Sequence, residues 1–105
     1  MEQYMTFSEA LEALNKGAFV AREGWNGKGM FIYKVEASDH ARHLLCDRCK
    51  DAIEYAFAHD NKIHLEQEVV HINAHIDMKA ADGSIVVGWL ASQTDMQADD
   101  WYVVS

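Results

Sequence analysis

The alternation of apolar and polar residues predicts a short helix and then a hairpin at the start of the chain. Thr6 and Glu9 have the spacing of a capping box, and apolar residues follow at helical spacing until a glycine ends the run. We therefore expect a helix over residues 7–16. Residues 18–22 and 30–35 have the character of strands, and the loop between them carries three glycines and an Asn-Gly pair, which is typical of a hairpin.

The rest of the chain predicts one long helix and further strands. Residues 38–58 carry an apolar stripe at helical spacing and are expected to form the longest helix. Residues 63–76 are mixed, with valines and an isoleucine that indicate a strand. A turn at residues 81–83 precedes a short apolar run, which predicts a second hairpin, and residues 101–104 could close the sheet. Together these elements predict an α+β fold with a small antiparallel sheet, a short N-terminal helix and one longer central helix.

Length and charge limit the possible functions. The chain has 105 residues, which fits one domain over residues 1–105. Its formal net charge is −8, whereas proteins that coat DNA or RNA normally present a basic surface, so no nucleic-acid polymer is expected as a partner. Met1 is followed by Glu2 and Gln3 rather than by a basic and apolar leader, and no stretch approaches the ~20 apolar residues of a membrane span. We therefore expect a cytosolic protein with no membrane partner.

Four residues of zinc-ligand type recur at every third position: His40, His43, Cys46 and Cys49. On one straight helix, at about 100° per residue, they would fan over roughly half of the circumference and could not converge on one ion. We therefore expect no metal site and no cofactor, with Cys49 on the buried stripe and the histidines in solvent. The alternative is that Cys46 and Cys49 contribute to a metal site completed elsewhere. In a cytosolic protein both are expected as reduced thiols or metal ligands rather than as a structural disulfide.

The common catalytic motifs are absent from the sequence. The chain has no Gly-x-Ser-x-Gly, His-Glu-x-x-His or Walker sequence. Aspartates cluster in its second half, at Asp77, Asp82, Asp95, Asp99 and Asp100. A general acid–base pair among them stays open as an alternative, but surface carboxylates are expected in a chain with 17 acidic residues. The sequence therefore favours a protein that is not an enzyme.

Two of the three tryptophans stand in loops suited to a flat ligand. Trp25 lies in the glycine-rich loop, and Trp89 begins a polar stretch with hydroxyl, amide and carboxylate side chains. Base–aromatic stacking contributes about 1–3 kcal/mol per base, and backbone amides of a glycine loop can bind phosphate oxygens. Arg22 and Lys28 flank that loop and could offset an anion. The two tryptophans could equally be core anchors, and spacing alone does not separate these alternatives.

Several stretches of the chain carry specific motifs: MTFSEAL from Met5, GWNG from Gly24, HIDMKAADG from His75, WLASQTDM from Trp89, and the pair Asp100-Trp101. This pattern resembles the small phage proteins of the second Thoeris anti-defence family. The resemblance covers residues 5–32 and 72–104, and the motif around Trp89 is long and specific. Residues 36–71 show no pattern that aligns with the family, and Ala74 stands where members often carry proline.

The resemblance implies a sponge rather than an enzyme, acting in the cytoplasm of the infected bacterial host. Such proteins bind glycocyclic ADP-ribose isomers made by TIR-domain enzymes of the Thoeris system and hold them unaltered. Some members also bind cyclic oligonucleotides of the CBASS system at a separate site. The family forms homo-oligomers, typically tetramers, with ligand pockets between subunits. We accordingly expect a tetramer built as a dimer of dimers, partly through the helix at residues 38–58.

Carried over residue by residue, the resemblance places these residues at the ligand pocket: Trp25, Asn26, Trp89, Ser92, Gln93 and Asp95, with Phe7 and Arg22 as further candidates. Trp101 is assigned instead to the core, because it opens the predicted last strand. Two other functions stay open. One is a metal-assisted hydrolase that degrades the signal at the Cys/His cluster, and the other is a ligand-free interaction protein with buried tryptophans.

Overall fold

The computed structural model describes residues 3–25, 27–41, 45–59 and 69–105. Its helices are α1 (Phe7–Asn15), α2 (Asp47–His59) and α3 (Gln93–Gln97). Its strands are β1 (Val20–Arg22), β2 (Phe31–Val35), β3 (Ser38–Ala41), β4 (Val69–Ile72), β5 (His75–Lys79), β6 (Ile85–Val86) and β7 (Trp101–Val103). The chain divides into two compact units, one formed by Met1–Glu36 with Ala74–Ser105 and the other by Ala37–Asn73. The predicted α+β fold with an antiparallel sheet is confirmed.

The first unit is built on one antiparallel sheet with the strand order β6-β5-β2-β1-β7. Ile32 pairs with Val20 on one side and with Met78 on the other, so the three side chains lie in a row on one face. All three are buried, and Leu14 of α1 and Trp101 of β7 complete the core on that face. Both predicted hairpins are confirmed, as is the closing strand at the edge of the sheet.

Helix α1 begins where the sequence predicts. The Thr6 hydroxyl accepts a hydrogen bond from the backbone N–H of Glu9 at 3.2 Å, and the Glu9 carboxylate accepts one from the N–H of Thr6 at 3.0 Å. The helix stops before Gly17, whose φ of +93° favours glycine over any other residue. Its contacts with β1, β2 and β7 hold the helix on the core face of the sheet.

The second unit corrects the prediction of one helix over residues 38–58. Ser38–Ala41 is a strand that pairs antiparallel with Val69–Ile72, and the helix in this segment, as far as its residues are described, is Asp47–His59. The backbone groups of β3 pair with residues about thirty positions further along the chain. The local spacing of apolar residues cannot reveal such a distant pairing. The predicted strand near residue 70 is confirmed as β4, while residues 63–68 lie outside the described part. No helix in the described ranges is long and apolar enough to cross a bilayer.

Candidate ligand-binding site

A buried cation joins two loops of the first unit. Nε of Arg22 donates to Oδ1 of Asp100 at 2.8 Å, and Nη1 donates to Oδ1 of Asp95 at 2.8 Å. The side chains of Arg22 and Asp95 are each only 12% exposed. The backbone N–H of Gly24 donates to Oδ2 of Asp100 at 2.8 Å, and a Cβ at Gly24 would lie 2.8 Å from that same oxygen. A side chain at this position would force the Asp100 carboxylate to shift, so glycine permits its close approach.

Asp95 organises the turn that follows Trp89. Its Oδ1 also accepts from Nε1 of Trp25 at 3.1 Å, and its Oδ2 accepts from the N–H of Ser92 at 3.1 Å. Ser92 Oγ in turn accepts from the N–H of Asp95 at 3.0 Å, which makes Ser92 the N-cap of α3. Both carboxylate oxygens of Asp95 are thus bonded within the chain. Asp95 therefore has a structural role, and contact between it and a ligand stays a prediction.

The network shifts the titration of its charged members. Burial raises the pKa of Asp95, but the hydrogen bonds from Arg22, Trp25 and Ser92 together outweigh burial and hold that pKa below its ordinary value. The hydrogen bond from Arg22 is the main cause of the lowered pKa of Asp100. The bond to Asp100 is likewise the main cause of the raised pKa of Arg22. All three groups are therefore charged at neutral pH.

The three tryptophans form one aromatic cluster. The ring centroid of Trp101 lies 5.3 Å from that of Trp25 and 6.2 Å from that of Trp89, both edge to face, and the Trp25 and Trp89 centroids are 6.3 Å apart. Trp101 is fully buried, which confirms its assignment to the core, and its Nε1 donates to the backbone carbonyl of Asp95 at 3.0 Å. Trp25 and Trp89 are half-buried, so each packs on the core with one part of its ring and faces outward with the rest.

Trp89 forms part of the wall of an open cavity of about 280 Å³. The cavity is lined by Leu11, Leu14, Asn15, Lys34, Ala74, His75, Ile76 and Trp89. Lys34 Nζ donates to Oδ1 of Asn15 at 3.0 Å and lies 4.0 Å from the exposed carboxylate of Glu36. Aromatic and aliphatic walls beside an ammonium group suit a ligand that combines a flat ring with an anionic group.

Comparison with known proteins identifies the family. A sequence model described as the Thoeris anti-defense 2-like domain matches residues 5–104. A protein of Bacillus phage SP01 described as Thoeris anti-defense 2 is 39% identical over 105 residues, which cover the full length of both chains. The chain belongs to the Thoeris anti-defence 2-like family. The family match also spans residues 36–71, where the sequence motifs did not align.

In this Thoeris anti-defence 2-like protein, five of the residues predicted for the pocket are connected to one another. Arg22, Trp25, Ser92 and Asp95 are joined by hydrogen bonds, and the ring of Trp89 contacts that of Trp25. Of the predicted residues that the structure describes, Trp89 alone lines the cavity.

Phe7 and Gln93 lie apart from that network. Phe7 packs on Trp101 at a centroid distance of 5.5 Å and belongs to the core region. Gln93 is exposed at the start of α3 and accepts a weak hydrogen bond from Gln97 at 3.5 Å. Asn26 lies outside the described residues.

Sequence reasoning missed the polar residues of the cavity. Lys34 occupies a position of β2 that shares its face with the core residue Ile32, since side chains alternate along a strand. Charged residues are rare on the core face of a strand, so a lysine at such a position is a sequence signal that could have identified Lys34. His75 is on β5, with Nε2 3.5 Å from Oδ1 of the buried Asp77, and Ala74 lines the same cavity.

The histidine–cysteine pattern does not sit on one helix, which corrects the geometry assumed for it. His40 lies on β3 with Nε2 2.7 Å from the Ser38 hydroxyl, and His43 lies outside the described residues. The expectation that Cys49 is buried in the stripe is wrong, because Cys46 and Cys49 are both exposed at the start of α2. Among the described residues, no group of three or more His, Cys, Asp or Glu side chains is arranged to hold a metal ion.

Three more of the clustered aspartates accept hydrogen bonds from other groups of the chain and do not pair with one another. Asp77 accepts from the N–H of Gly88 at 2.9 Å, and Asp82 accepts from the N–H and hydroxyl of Ser84 in the β5–β6 turn. Asp100 is bonded to the guanidinium and glycine-loop groups described above. Among the described residues, no carboxylate lines the cavity beside Trp89.

Proposed function

We propose that this protein binds a glycocyclic ADP-ribose-type signal and holds it unaltered, so that Thoeris defence is not triggered in the cytoplasm of the infected host. Membership of the Thoeris anti-defence 2-like family supports a function against Thoeris. Sequestration is the finer step, and one observation carries it: the Trp89 ring and the Lys34 ammonium line the same open cavity.

The proposed contacts follow from the chemistry of that cavity. A purine stacked on Trp89 would gain about 1–3 kcal/mol. The Lys34 ammonium would leave the exposed Glu36 and bind a phosphate oxygen, and the Asn15 amide would bind a ribose hydroxyl. Leu11 and Ile76 would exclude water from the face of the base. Such a ligand needs groups for stacking, anion binding and hydroxyl recognition, and the cavity supplies all three.

The hydrogen-bonded network has a positioning role in this proposal. Arg22 and Asp95 fix the indole of Trp25 and the turn at Ser92, and Trp25 in turn packs on Trp89. The stacking plane is thereby held before the ligand arrives, which lowers the ordering cost of binding. Gln93, exposed on the same turn, is proposed to reach a ligand hydroxyl or phosphate.

A second copy of the chain completes the site in this proposal. At about 280 Å³ the cavity is just below the 300–1,000 Å³ typical of small-molecule sites, so it would enclose one part of a cyclic dinucleotide-like ligand. We propose that a partner subunit of a homotetramer covers the remainder. Binding of cyclic oligonucleotides at a separate site stays a prediction of the family resemblance.

Release of the bound molecule tests the proposal. The protein is incubated with glycocyclic ADP-ribose, freed of unbound nucleotide by desalting and then heat-denatured, and the released material is analysed by chromatography and mass spectrometry. Recovery of the intact nucleotide is expected. Recovery of a cleaved product would support the hydrolase, and recovery of no nucleotide would support the ligand-free interaction protein. Light scattering in the same buffer should give the mass of a tetramer, and a monomer at micromolar concentration would contradict the shared site.

A further inference from the structure

The two cysteines at the start of α2 form a pair that neither the fold nor the proposed ligand site uses. We propose that Cys46 and Cys49 are a redox-active dithiol, a modification site that reacts with small-molecule disulfides to give an intramolecular disulfide. This inference is independent of nucleotide binding, because it concerns groups of the second unit alone.

The backbone of α2 sets the spacing of the pair. The carbonyl of Cys46 accepts the first helical hydrogen bond from the N–H of Lys50 at 3.0 Å, so Cys46 is the N-cap of the helix and Cys49 is its third residue. The side chain of an N-cap residue faces the N–H of the third helical residue. Accordingly the N–H of Cys49 donates to Cys46 Sγ at 3.4 Å. A Cys-x-x-Cys sequence at this position therefore brings its two thiols together.

The two sulfur atoms are close enough to bond with little movement. The Cys46 and Cys49 sulfur atoms lie 2.8 Å apart, within hydrogen-bond distance of each other. A disulfide bond is about 2.05 Å long, so closure requires about 0.8 Å of approach. A rotation about the side-chain bonds supplies such a displacement without moving the helix. The pair is therefore preorganised for an intramolecular disulfide rather than for a link between chains.

The helix start makes the two thiols unequal. The hydrogen bond between the two thiols is the main cause of the lowered pKa of Cys46, and the N–H of Cys49 adds to it. The same bond is the main cause of the raised pKa of Cys49. The positive end of the α2 dipole also favours a thiolate at the N-cap. Both side chains are exposed, so a small disulfide can reach either of them. Since the thiolate is favoured at Cys46, we assign Cys46 as the attacking thiolate and Cys49 as the resolving thiol.

The reaction is ordinary thiol–disulfide exchange. The Cys46 thiolate attacks one sulfur of a small disulfide such as oxidised glutathione, forms a mixed disulfide and expels the other half as a thiolate, which takes up a proton. The Cys49 thiol then loses its proton and attacks Cys46 Sγ, and the second glutathione leaves as its thiol. The protein is oxidised by two electrons, and one oxidised glutathione becomes two reduced ones.

Mass spectrometry of the full-length protein tests this assignment directly. The chain has two cysteines, so every thiol event belongs to this pair. After incubation with oxidised glutathione at neutral pH, the intact mass should fall by the mass of two hydrogen atoms, and reduced glutathione should restore it. The Cys49→Ser variant should stop at one glutathione adduct on Cys46. The Cys46→Ser variant should react several-fold more slowly, because Cys49 lacks the stabilised thiolate.

Three results would overturn the proposal. They are an unchanged intact mass, two stable glutathione adducts on the wild type, and a disulfide that joins two chains on a non-reducing gel. Equal rates for the two single variants would remove the assignment of Cys46 as the attacking thiolate. None of these readouts depends on nucleotide binding, so they stay interpretable whatever the outcome of the release experiment.

Discussion

The guanidinium of Arg22 and the carboxylate of Asp95 lie 2.8 Å apart and join β1 to α3 across 73 residues of sequence. The same carboxylate receives the indole N–H of Trp25 and the backbone N–H of Ser92. One ion pair therefore fixes both the glycine-rich loop and the turn after Trp89. The stability of the protein and the shape of the proposed site therefore depend on the same few hydrogen bonds.

Arg22→Gln should lower the free energy of unfolding by about 3–5 kcal/mol, because removing one partner of a buried pair leaves a charge without compensation. Here two carboxylates, Asp95 and Asp100, would lose their cation together. Urea denaturation measures the effect. The matched control is Arg48→Gln, whose pair with Asp51 is exposed and should be worth less than about 1 kcal/mol. Equal losses in both variants would show that the Arg22 pair is not a structural centre.

Acid should destabilise the protein through the same pair of carboxylates. The pKa values of Asp95 and Asp100 are lowered on folding, so the unfolded chain binds more protons near pH 4 and stability rises with pH there. Their contribution is complete above about pH 5 and is lost as the pH falls below about 4. Urea midpoints from pH 2.5 to 7 measure this loss. Arg22→Gln should flatten the acid limb of the curve, and a limb as steep as that of the wild type would assign the acid sensitivity to other groups.

Two tryptophans of the cluster are expected to have different roles, Trp101 in stability and Trp89 in ligand binding. Trp101→Ala should cost about 3–5 kcal/mol of stability, because the fully buried indole leaves a cavity at the centre of the core. Trp89→Ala should remove about 1–3 kcal/mol of ligand binding through lost stacking, with a smaller loss of stability since its ring is half-buried. Melting temperature and ligand titration on both variants distinguish the two roles. If Trp89→Ala unfolded the protein, or bound the nucleotide as tightly as the wild type, the site would have to be placed elsewhere.

Local signals predicted the elements whose contacts are local. The capping box of Thr6 and Glu9 fixed the start of α1, and the two hairpins followed from their turns. Ser38–Ala41 was misassigned as helix, because its strand partner Val69–Ile72 lies about thirty residues away. Helix α3 was missed although Ser92 and Asp95 have the same spacing as the first capping box. With five residues, it is too short for an apolar period to appear.

The candidate site was only partly predictable for a related reason. Motif resemblance pointed to Trp25 and Trp89, and the structure joins both to one cluster. The pairing of Lys34 with Ile76, which places both residues beside the cavity, depends on the register of β2 against β5 and could not be predicted from local pattern. Cys49 was assigned to a buried stripe on a helix that was assumed to start at residue 38. In the structure α2 begins at Asp47, and Cys46 and Cys49 are both exposed at its start.

Two lysines, Lys28 and Lys34, are candidates for binding a phosphate of the nucleotide. The sequence pointed to Lys28, beside the glycine-rich loop, whereas the structure places Lys34 in the cavity with Trp89. Lys34→Gln should weaken binding of glycocyclic ADP-ribose about tenfold or more, since a hydrogen bond to a charged group contributes about 1.5–3 kcal/mol. It should also reduce the dependence of affinity on salt, because one cation no longer meets the phosphate.

Lys28→Gln removes the same charge from an exposed loop and should leave affinity within about twofold. Calorimetric titrations at two salt concentrations compare the variants. A loss with Lys28→Gln and none with Lys34→Gln would move the phosphate to the glycine-rich loop and leave the cavity beside Trp89 without its proposed ligand.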